Sequence, residues 1–157
     1  MYRKKKILNQ IKAEFSAISE NEGLARSLVC AFAAQLDPTV AELADVRCAV
    51  SEAVTNAIVH AYDKKSGKEN FVYIFCTLYE NRTLRVVIRD KGKGIEDIHR
   101  AMEPLYTTDV TGERSGIGFS IMQGFMDRVK VTSKPGKGTS VMMKKTFMPM
   151  AKDGEAD

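Results

Sequence analysis

Apolar and polar residues alternate in several short stretches of the chain, which is the pattern of half-buried β-strands. Residues 13–18 alternate in this way and predict a short strand. Two longer β-rich regions each contain a polar turn in their middle. Residues 71–89 turn at 80–83, and residues 129–147 turn at 135–138. Each of these two regions therefore predicts an antiparallel hairpin.

Between these stretches, apolar residues recur every three or four positions, which is the spacing of amphipathic helices. Asn21 is placed to cap a first helix that runs to about Gln35. Thr39 and Glu42 have the spacing of a capping box and predict a second helix over 40–62. The apolar stripe predicted for the first helix consists of Leu24, Leu28, Phe32 and Leu36.

The remaining pattern predicts a short helix at 96–102, a polar, mobile loop at 103–115 and a third long helix at 118–127. The predicted order is β-α-α-ββ-α-ββ. Strands in antiparallel pairs with helices between them favour an α+β fold. We expect a two-layer α/β sandwich with one mixed, mostly antiparallel sheet and helices on one of its faces.

The length of 157 residues suggests one domain. Five of the 24 Lys and Arg residues lie within residues 1–12, which leaves 19 against 20 Asp and Glu residues elsewhere. We therefore divide the chain into a basic arm at 1–12, a globular domain at 13–148 and a tail at 149–157. The near-neutral domain argues against direct nucleic-acid binding. No apolar run is long enough to cross a membrane.

The three cysteines are Cys30, Cys48 and Cys76. Their number is odd and they form no C-x-x-C pair, so we interpret them as small buried apolar residues. The sequence is typical of a cytoplasmic protein without a structural metal.

Two polar motifs stand out against this background. Glu52 and Asn56 are four residues apart on the second helix, so they share a face, and that face points away from the apolar stripe. Asp90 directly follows a strand and precedes Gly92 and Gly94. This arrangement can present a carboxylate beside exposed backbone N–H groups. Each motif alone has an ordinary interpretation, as a solvated helix face or as a simple turn.

A third glycine-rich motif covers residues 114–119, where Arg-Ser-Gly-Ile-Gly-Phe opens onto a predicted helix. A turn of this kind directs N–H groups and the positive helix end towards an anion such as phosphate. It is neither a Walker loop nor a dinucleotide fingerprint. The turn of the last hairpin contains Thr139, whose hydroxyl could face the same pocket.

These motifs follow each other as E-x-x-x-N, D-x-G-x-G, R-S-G-x-G-F and G-T. That order resembles the GHKL ATP-binding fold of gyrase, Hsp90, histidine kinases and MutL. Over roughly residues 13–147 the chain is similar to the sporulation anti-sigma F factor family. The segments that carry this second resemblance are 15–19, 35–38, 51–57, 103–108 and 113–119.

The resemblance implies a role for each motif. Glu52 would be the general base, Asn56 would bind Mg²⁺, and Asp90 would accept a hydrogen bond from the adenine amino group. His60, one further turn along, is interpreted as a polar neighbour. The residues implied to contact ATP or ADP are Asn56, Asp90, Gly92, Gly94, Thr107, Thr108, Arg114, Ser115, Gly116, Gly118 and Thr139.

The resemblance also implies what such a protein does. It would sequester a sporulation sigma factor and phosphorylate a serine of its anti-anti-sigma partner. It would act as a homodimer that the strand at 13–18 helps to build, and Arg26 would contact partners.

Three alternatives stay open. A histidine-kinase-type ATP domain without an anti-sigma role would need a phosphoacceptor helical hairpin, for which we see no room before residue 13. A clamp of the gyrase or Hsp90 type would need a second domain after the ATP module. A nucleic-acid binder is the third.

Overall fold

The computed structural model describes residues 3–62, 69–104 and 118–150. Five strands form one sheet in the order β1-β2-β3-β5-β4, and all four pairings are antiparallel. The predicted α+β sandwich with a mostly antiparallel sheet is therefore confirmed. The elements are β1 Ile7–Ser16, α1 Glu20–Ala33, a 3₁₀ turn Ala34–Leu36, α2 Val40–Thr55, a π-helical turn Asn56–His60, β2 Phe71–Tyr79, β3 Thr83–Asp90, α3 Ile98–Ala101, α4 Gly118–Phe125, β4 Arg128–Lys134 and β5 Gly138–Thr146.

The core lies between one face of the sheet and the helices. On β2 the inward side chains alternate with outward ones, and all four inward residues are fully buried. They pack in one cluster with residues of α1, α2 and α4. Burial of each large apolar side chain contributes roughly 1.5–3 kcal/mol. The inward residues of β2 are Val72, Ile74, Cys76 and Leu78.

Helix α2 begins at the predicted capping box. The Thr39 hydroxyl accepts a hydrogen bond from the Glu42 N–H at 3.1 Å, and a Glu42 carboxylate oxygen accepts one from the Thr39 N–H at 2.8 Å. The two contacts satisfy backbone donors that a helix start leaves unpaired. The helix then runs across the sheet and ends in the π-helical turn, which brings the E-x-x-x-N motif to one edge of the core.

The first strand and the first helix differ from their predictions. Strand β1 begins at Ile7, inside the segment assigned to the basic arm, because its backbone pairs with β2 from Ile7 onwards. Asn21 does not cap α1: the helix begins at Glu20, and the Asn21 amide donates to the carbonyl of Ser16 at 3.0 Å. Leu24 is 55% exposed, so its place in the predicted apolar stripe was wrong. The residues of α1 that are buried are Ala25, Val29, Phe32 and Ala33.

The cysteines are also only partly as predicted. Cys76 is buried on β2, whereas Cys30 is half-buried and Cys48 is exposed. Cys48 lies between the buried residues Val46 and Val50 of α2, and a residue two positions from each points away from the core on a helix. Among the described residues, no helix has the length and apolar character that a membrane span requires.

Candidate functional site

The end of α2 carries the first half of the candidate site. Glu52 lies in the last turn of the helix, and Asn56 begins the π-helical turn. The Asn56 carbonyl accepts a hydrogen bond from the N–H of Ala61, five residues later, at 3.1 Å. Such π-helical turns are rare and occur frequently at functional sites. Both the Glu52 and Asn56 side chains are half-buried, so they remain accessible from outside the core.

Helix α4 begins against these two side chains. A Cβ added to Gly118 would lie 3.1 Å from Glu52 Oε2, 3.6 Å from Asn56 Nδ2 and 3.8 Å from Asn56 Oδ1. The fold therefore brings Glu52, Asn56 and Gly118 together. Because glycine has no side chain, the space beside both polar groups stays open.

Asp90 forms the second half of the candidate site at the end of β3. It is 6% exposed, and its Oδ1 accepts hydrogen bonds from the N–H groups of Gly92 at 2.9 Å and Thr139 at 3.2 Å. Burial raises the pKa of this carboxyl group, and the two N–H groups partly offset the increase. Within the described residues no hydrogen bond reaches Oδ2. That oxygen is available as an acceptor for a ligand.

The turn after Asp90 requires glycine at two positions for different reasons. A Cβ on Gly92 would lie 2.1 Å from the carbonyl oxygen of Ala61, so no side chain fits there. Gly94 has φ +75°, which L-residues rarely adopt, and a Cβ there would lie 2.2 Å from the Lys134 carbonyl oxygen. The Lys93 N–H donates to the Ala61 carbonyl at 2.8 Å. This contact links the Asp90 turn to the helix that carries Glu52 and Asn56.

Ser133 is part of this arrangement, although no signal in the sequence indicates it. Its hydroxyl accepts from the Ile95 N–H at 2.8 Å and lies 3.0 Å from the Gly138 carbonyl and 2.9 Å from the Thr139 hydroxyl. Thr139 therefore reaches Asp90 through its backbone N–H, while its hydroxyl contacts Ser133. Gly138 has φ +94°, and a Cβ there would lie 2.2 Å from the Asp90 carbonyl oxygen. Its place in the G-K-G-T turn could have pointed to this close approach.

The remaining predicted site residues are Arg26 and five residues between 107 and 116. Arg26 on α1 is half-buried, and its Nη1 donates to the Ser51 hydroxyl at 3.4 Å, one residue before Glu52. It is therefore close to the motif on α2. Five residues implied to contact the nucleotide lie outside the described part of the chain, as does most of the predicted loop at 103–115. These five residues are Thr107, Thr108, Arg114, Ser115 and Gly116.

Comparison with known proteins gives the same class of fold. The family model described as histidine kinase-like ATPase domain matches residues 15–145. A structure of the RsbU and RsbW domains of a Mycobacterium tuberculosis protein superposes with a TM-score of 0.65 at 14% identity, over 89% of this chain and 33% of that one. The histidine kinase domain of a blue-light activated histidine kinase from Erythrobacter litoralis superposes with a TM-score of 0.53 at 22% identity, over 80% of this chain and 61% of that one. The fold and the sequence match define a histidine kinase-like ATPase domain of the GHKL type.

Sequence relatives narrow the class. A protein of Clostridium acetobutylicum named anti-sigma F factor is 52% identical over 139 residues, which are 88% of this chain and 94% of that protein. One of the same name from Caldanaerobacter subterraneus subsp. tengcongensis is 50% identical over 137 residues, 87% of this chain and 93% of its own. The chain belongs to the anti-sigma F factor family.

Proposed function

We propose that the protein is an anti-sigma factor and an ATP-dependent protein serine kinase. It binds ATP with Mg²⁺, keeps a sporulation sigma factor of the sigma-F type from RNA polymerase, and inactivates an anti-anti-sigma protein by phosphorylating one of its serines. One observation carries the proposal. The side chains of Glu52 and Asn56 both face Gly118 of α4, which has no side chain of its own. The backbone directly after the π-helical turn, at Ala61, is hydrogen-bonded to the turn after Asp90. The names of the relatives support the anti-sigma part.

Asp90 gives the site its preference for adenine nucleotides. Its Oδ2 is the acceptor left open within the described residues, and the adenine amino group is a donor. Guanine has a carbonyl at that position, which would leave two acceptors facing each other in a buried setting. Rejection by an unpaired buried polar group is strong. ATP and ADP share the base, so both are expected to bind.

Asn56 and Gly118 fit the phosphate and metal end. The Asn56 amide oxygen is a hard ligand of the kind that Mg²⁺ takes, and the missing side chain of Gly118 leaves room beside it. When bound, Mg²⁺ would neutralise charge on the phosphates. Gly92 and Gly94 shape the turn on the base side. The proposal extends by family resemblance to Thr107, Thr108, Arg114, Ser115 and Gly116.

Glu52 acts in the transfer step as the general base. It accepts the proton of the attacking serine hydroxyl while that oxygen forms a bond to the γ-phosphorus of ATP. The bond from this phosphorus to the bridging oxygen breaks, and ADP leaves with that oxygen. Proton transfer by a positioned side chain contributes typically 10²–10⁴-fold to the rate. Neither the Glu52 nor the Asn56 side chain forms a hydrogen bond within the described residues, so both can bind ligands.

The partner surfaces are proposed from the same family membership. Arg26, beside the motif on α2, contacts the sigma factor or the anti-anti-sigma protein. The active species is a cytoplasmic homodimer, and β1 contributes to its interface because it lies at an edge of the sheet.

A pair of substitutions tests the kinase and anti-sigma activities separately. Glu52→Gln should bind ATP and capture the sigma factor, yet transfer labelled phosphate to the anti-anti-sigma protein about 10²–10⁴-fold more slowly. Asn56→Ala should lose ATP binding as well. Glu96→Gln makes the same chemical change on an exposed side chain and should behave like the wild type.

Near wild-type transfer by Glu52→Gln would remove Glu52 from the mechanism. A folded protein that binds ATP and captures no sigma factor would contradict the anti-sigma role. That outcome would favour a histidine-kinase-type ATP domain instead.

A further inference from the structure

The face of the sheet opposite the helices carries three positive charges side by side. Arg85 on β3 is the Cα partner of Lys144 on β5, and Lys144 is in turn the partner of Arg128 on β4. Like charges directly opposite on neighbouring strands destabilise a sheet. The pKa of Lys144 is lowered by desolvation first, and then by Arg85, Arg128 and Lys5. The fold thus holds cations where they repel each other.

The neighbouring row extends the charge to both edges of the sheet. Lys12 on β1 pairs with Phe75 on β2, and Lys130 on β4 lies at the other end of the same row. Lys12 Nζ lies 5.9 Å and Arg89 Cζ 5.6 Å from the centre of the Phe75 ring. The aromatic centre of this face is therefore covered by cations. We call the set Lys12, Arg85, Arg89, Arg128, Lys130 and Lys144 the basic sheet face.

Negative charge is nearly absent from this surface. The basic sheet face surrounds a concavity of about 530 Å³, and its fifteen lining residues include these six cations and neither Asp nor Glu. Among the described residues, none of the six forms an ion pair with a carboxylate. Glu14, on the edge strand β1, is the one acidic residue among the outward positions of the five strands.

The net charge of residues 13–157 is near zero, so it gives no sign that cations are concentrated on this face of the sheet. The expectation of no direct nucleic-acid contact rests on that net charge, and a local surface can bind what the average does not. We propose that the basic sheet face binds double-stranded DNA through its phosphate backbone, without recognising base sequence. Bound phosphate groups would reduce the electrostatic repulsion among Arg85, Lys144 and Arg128.

Two observations favour DNA over a protein or a second copy of the chain. The buried centres of protein–protein interfaces are depleted in charged residues, whereas DNA-binding surfaces are strongly positive. Hydroxyl groups that can donate to phosphate oxygens lie among the cations, on Thr132 and Ser140. A second copy packed on this face would bring the same cations against each other.

The layout of the charges favours a duplex over a single strand. From Lys12 to Lys130 the face crosses four inter-strand spacings, roughly 19 Å in all. That width can meet phosphates on both sides of a major groove about 12 Å wide. A single strand offers one row of phosphates, and the six cations form a two-dimensional array.

Fluorescence anisotropy with a labelled duplex of arbitrary sequence tests the proposal on the full chain at several NaCl concentrations. Six phosphate contacts would give a slope of log K against log salt of about −5. Arg128→Glu/Lys144→Glu should reduce the magnitude of this slope by about 2, and it should lower the affinity at least tenfold at 50 mM salt. Arg47→Glu/Lys137→Glu changes the net charge equally, from +4 to 0, at exposed positions elsewhere, and should stay within about threefold of the wild type.

Circular dichroism would verify that both double variants are folded. If the glutamate variant unfolds, Arg128→Gln/Lys144→Gln replaces it, with about the same change in slope, because the same two phosphate contacts are lost. The proposal is overturned if the wild type does not bind duplex at 50 mM salt, or if both double variants weaken binding equally. It is also overturned by tighter binding of a single strand of the same length, or by binding only to anionic lipid vesicles. A change of oligomeric state in Arg128→Glu/Lys144→Glu would assign the face to a second copy.

Discussion

The two halves of the candidate nucleotide site are built differently. The Asp90 half is fixed by backbone contacts from three directions: Gly92 and Thr139 donate to Oδ1, and Lys93 donates to Ala61. The Glu52 half consists of two half-buried side chains without a hydrogen bond within the described residues, facing a glycine. In the first half the protein satisfies its own polar groups and leaves one acceptor open. In the second it leaves two side chains available.

The difference matches the two tasks that we propose. Recognition of a base requires a rigid acceptor whose position does not depend on the ligand, since specificity arises from what is left unpaired. Handling phosphate, metal and proton requires groups that change partners during one turnover. We therefore expect substitutions in the Asp90 half to affect folding and affinity, and those in the Glu52 half to affect mainly phosphate-dependent binding and rate.

The largest effect on stability should come from Gly92→Ala. The new methyl group would lie 2.1 Å from the Ala61 carbonyl oxygen, which belongs to the backbone and cannot move aside cheaply. We expect a loss of about 3 kcal/mol in the free energy of unfolding and no measurable ATP binding, by urea denaturation and calorimetry. Gly124→Ala, where nothing lies within 4 Å of the added Cβ, is the control and should be stable. Equal stability of the two variants would contradict the fixed Asp90 half.

Asp90→Asn should weaken ATP binding by about 1.5–3 kcal/mol, because the amide places a donor or a weaker acceptor where a carboxylate accepts. The preference for ATP over GTP should shrink with it. Calorimetry with both nucleotides measures the two effects. Asp97→Asn makes the same change at the N-cap of α3, where asparagine caps equally well, and should bind ATP normally. Unchanged ATP affinity in Asp90→Asn would mean that the base does not contact this residue.

Gly118→Ala should have a smaller effect, confined to the Glu52 half. Its methyl group would lie 3.1 Å from Glu52 Oε2, the end of a flexible side chain that can move by a few tenths of an ångström. We expect nearly unchanged stability and a loss in ATP affinity of roughly 1 kcal/mol, with a smaller loss for adenosine, which has no phosphates. Gly124→Ala in the same helix is again the control. Equal losses for ATP and adenosine would show that Gly118 does not lie on the phosphate side.

The sequence predicts the parts of this site whose geometry is local. The capping box at Thr39 fixes the start of α2, and four-residue spacing then fixes Glu52 and Asn56 on one face. Contacts across the sheet leave no local trace: Ser133 on β4 reaches Ile95 after a gap of 38 residues. The prediction of the apolar stripe on α1 was partly wrong for a related reason. Leu24 is apolar and correctly spaced, yet the position of the helix on the sheet buries Ala25 instead.

The charge of the chain shows the same limit. Net charge is a property of composition, and it predicts a near-neutral domain. The row Arg85–Lys144–Arg128 exists only because of the register between β3, β5 and β4. Arg128 and Lys144 face each other across the β4–β5 hairpin, but Arg85 is 59 positions from Lys144 and could not be placed beside it from spacing alone. The row that joins all three cations therefore has no local signature in the sequence.

The smallest predicted effect is the pH dependence of stability without nucleotide. Burial raises the pKa of Asp90 above its ordinary value of 3.8, so folding favours the protonated carboxyl group. Its contribution to stability is therefore fully present below the unfolded-state pKa and is lost as the pH rises through the folded-state pKa. At neutral pH the charged group is a net cost, which Asp90→Asn removes. That variant should be at least as stable as the wild type at pH 7, and its advantage should shrink as the pH falls into the carboxyl range. Thermal unfolding of both proteins between pH 4 and pH 8, with Asp97→Asn beside them, measures the difference. A variant that is less stable at pH 7 and recovers in acid would show that the Gly92 and Thr139 hydrogen bonds outweigh burial, and that the Asp90 carboxylate stabilises the fold.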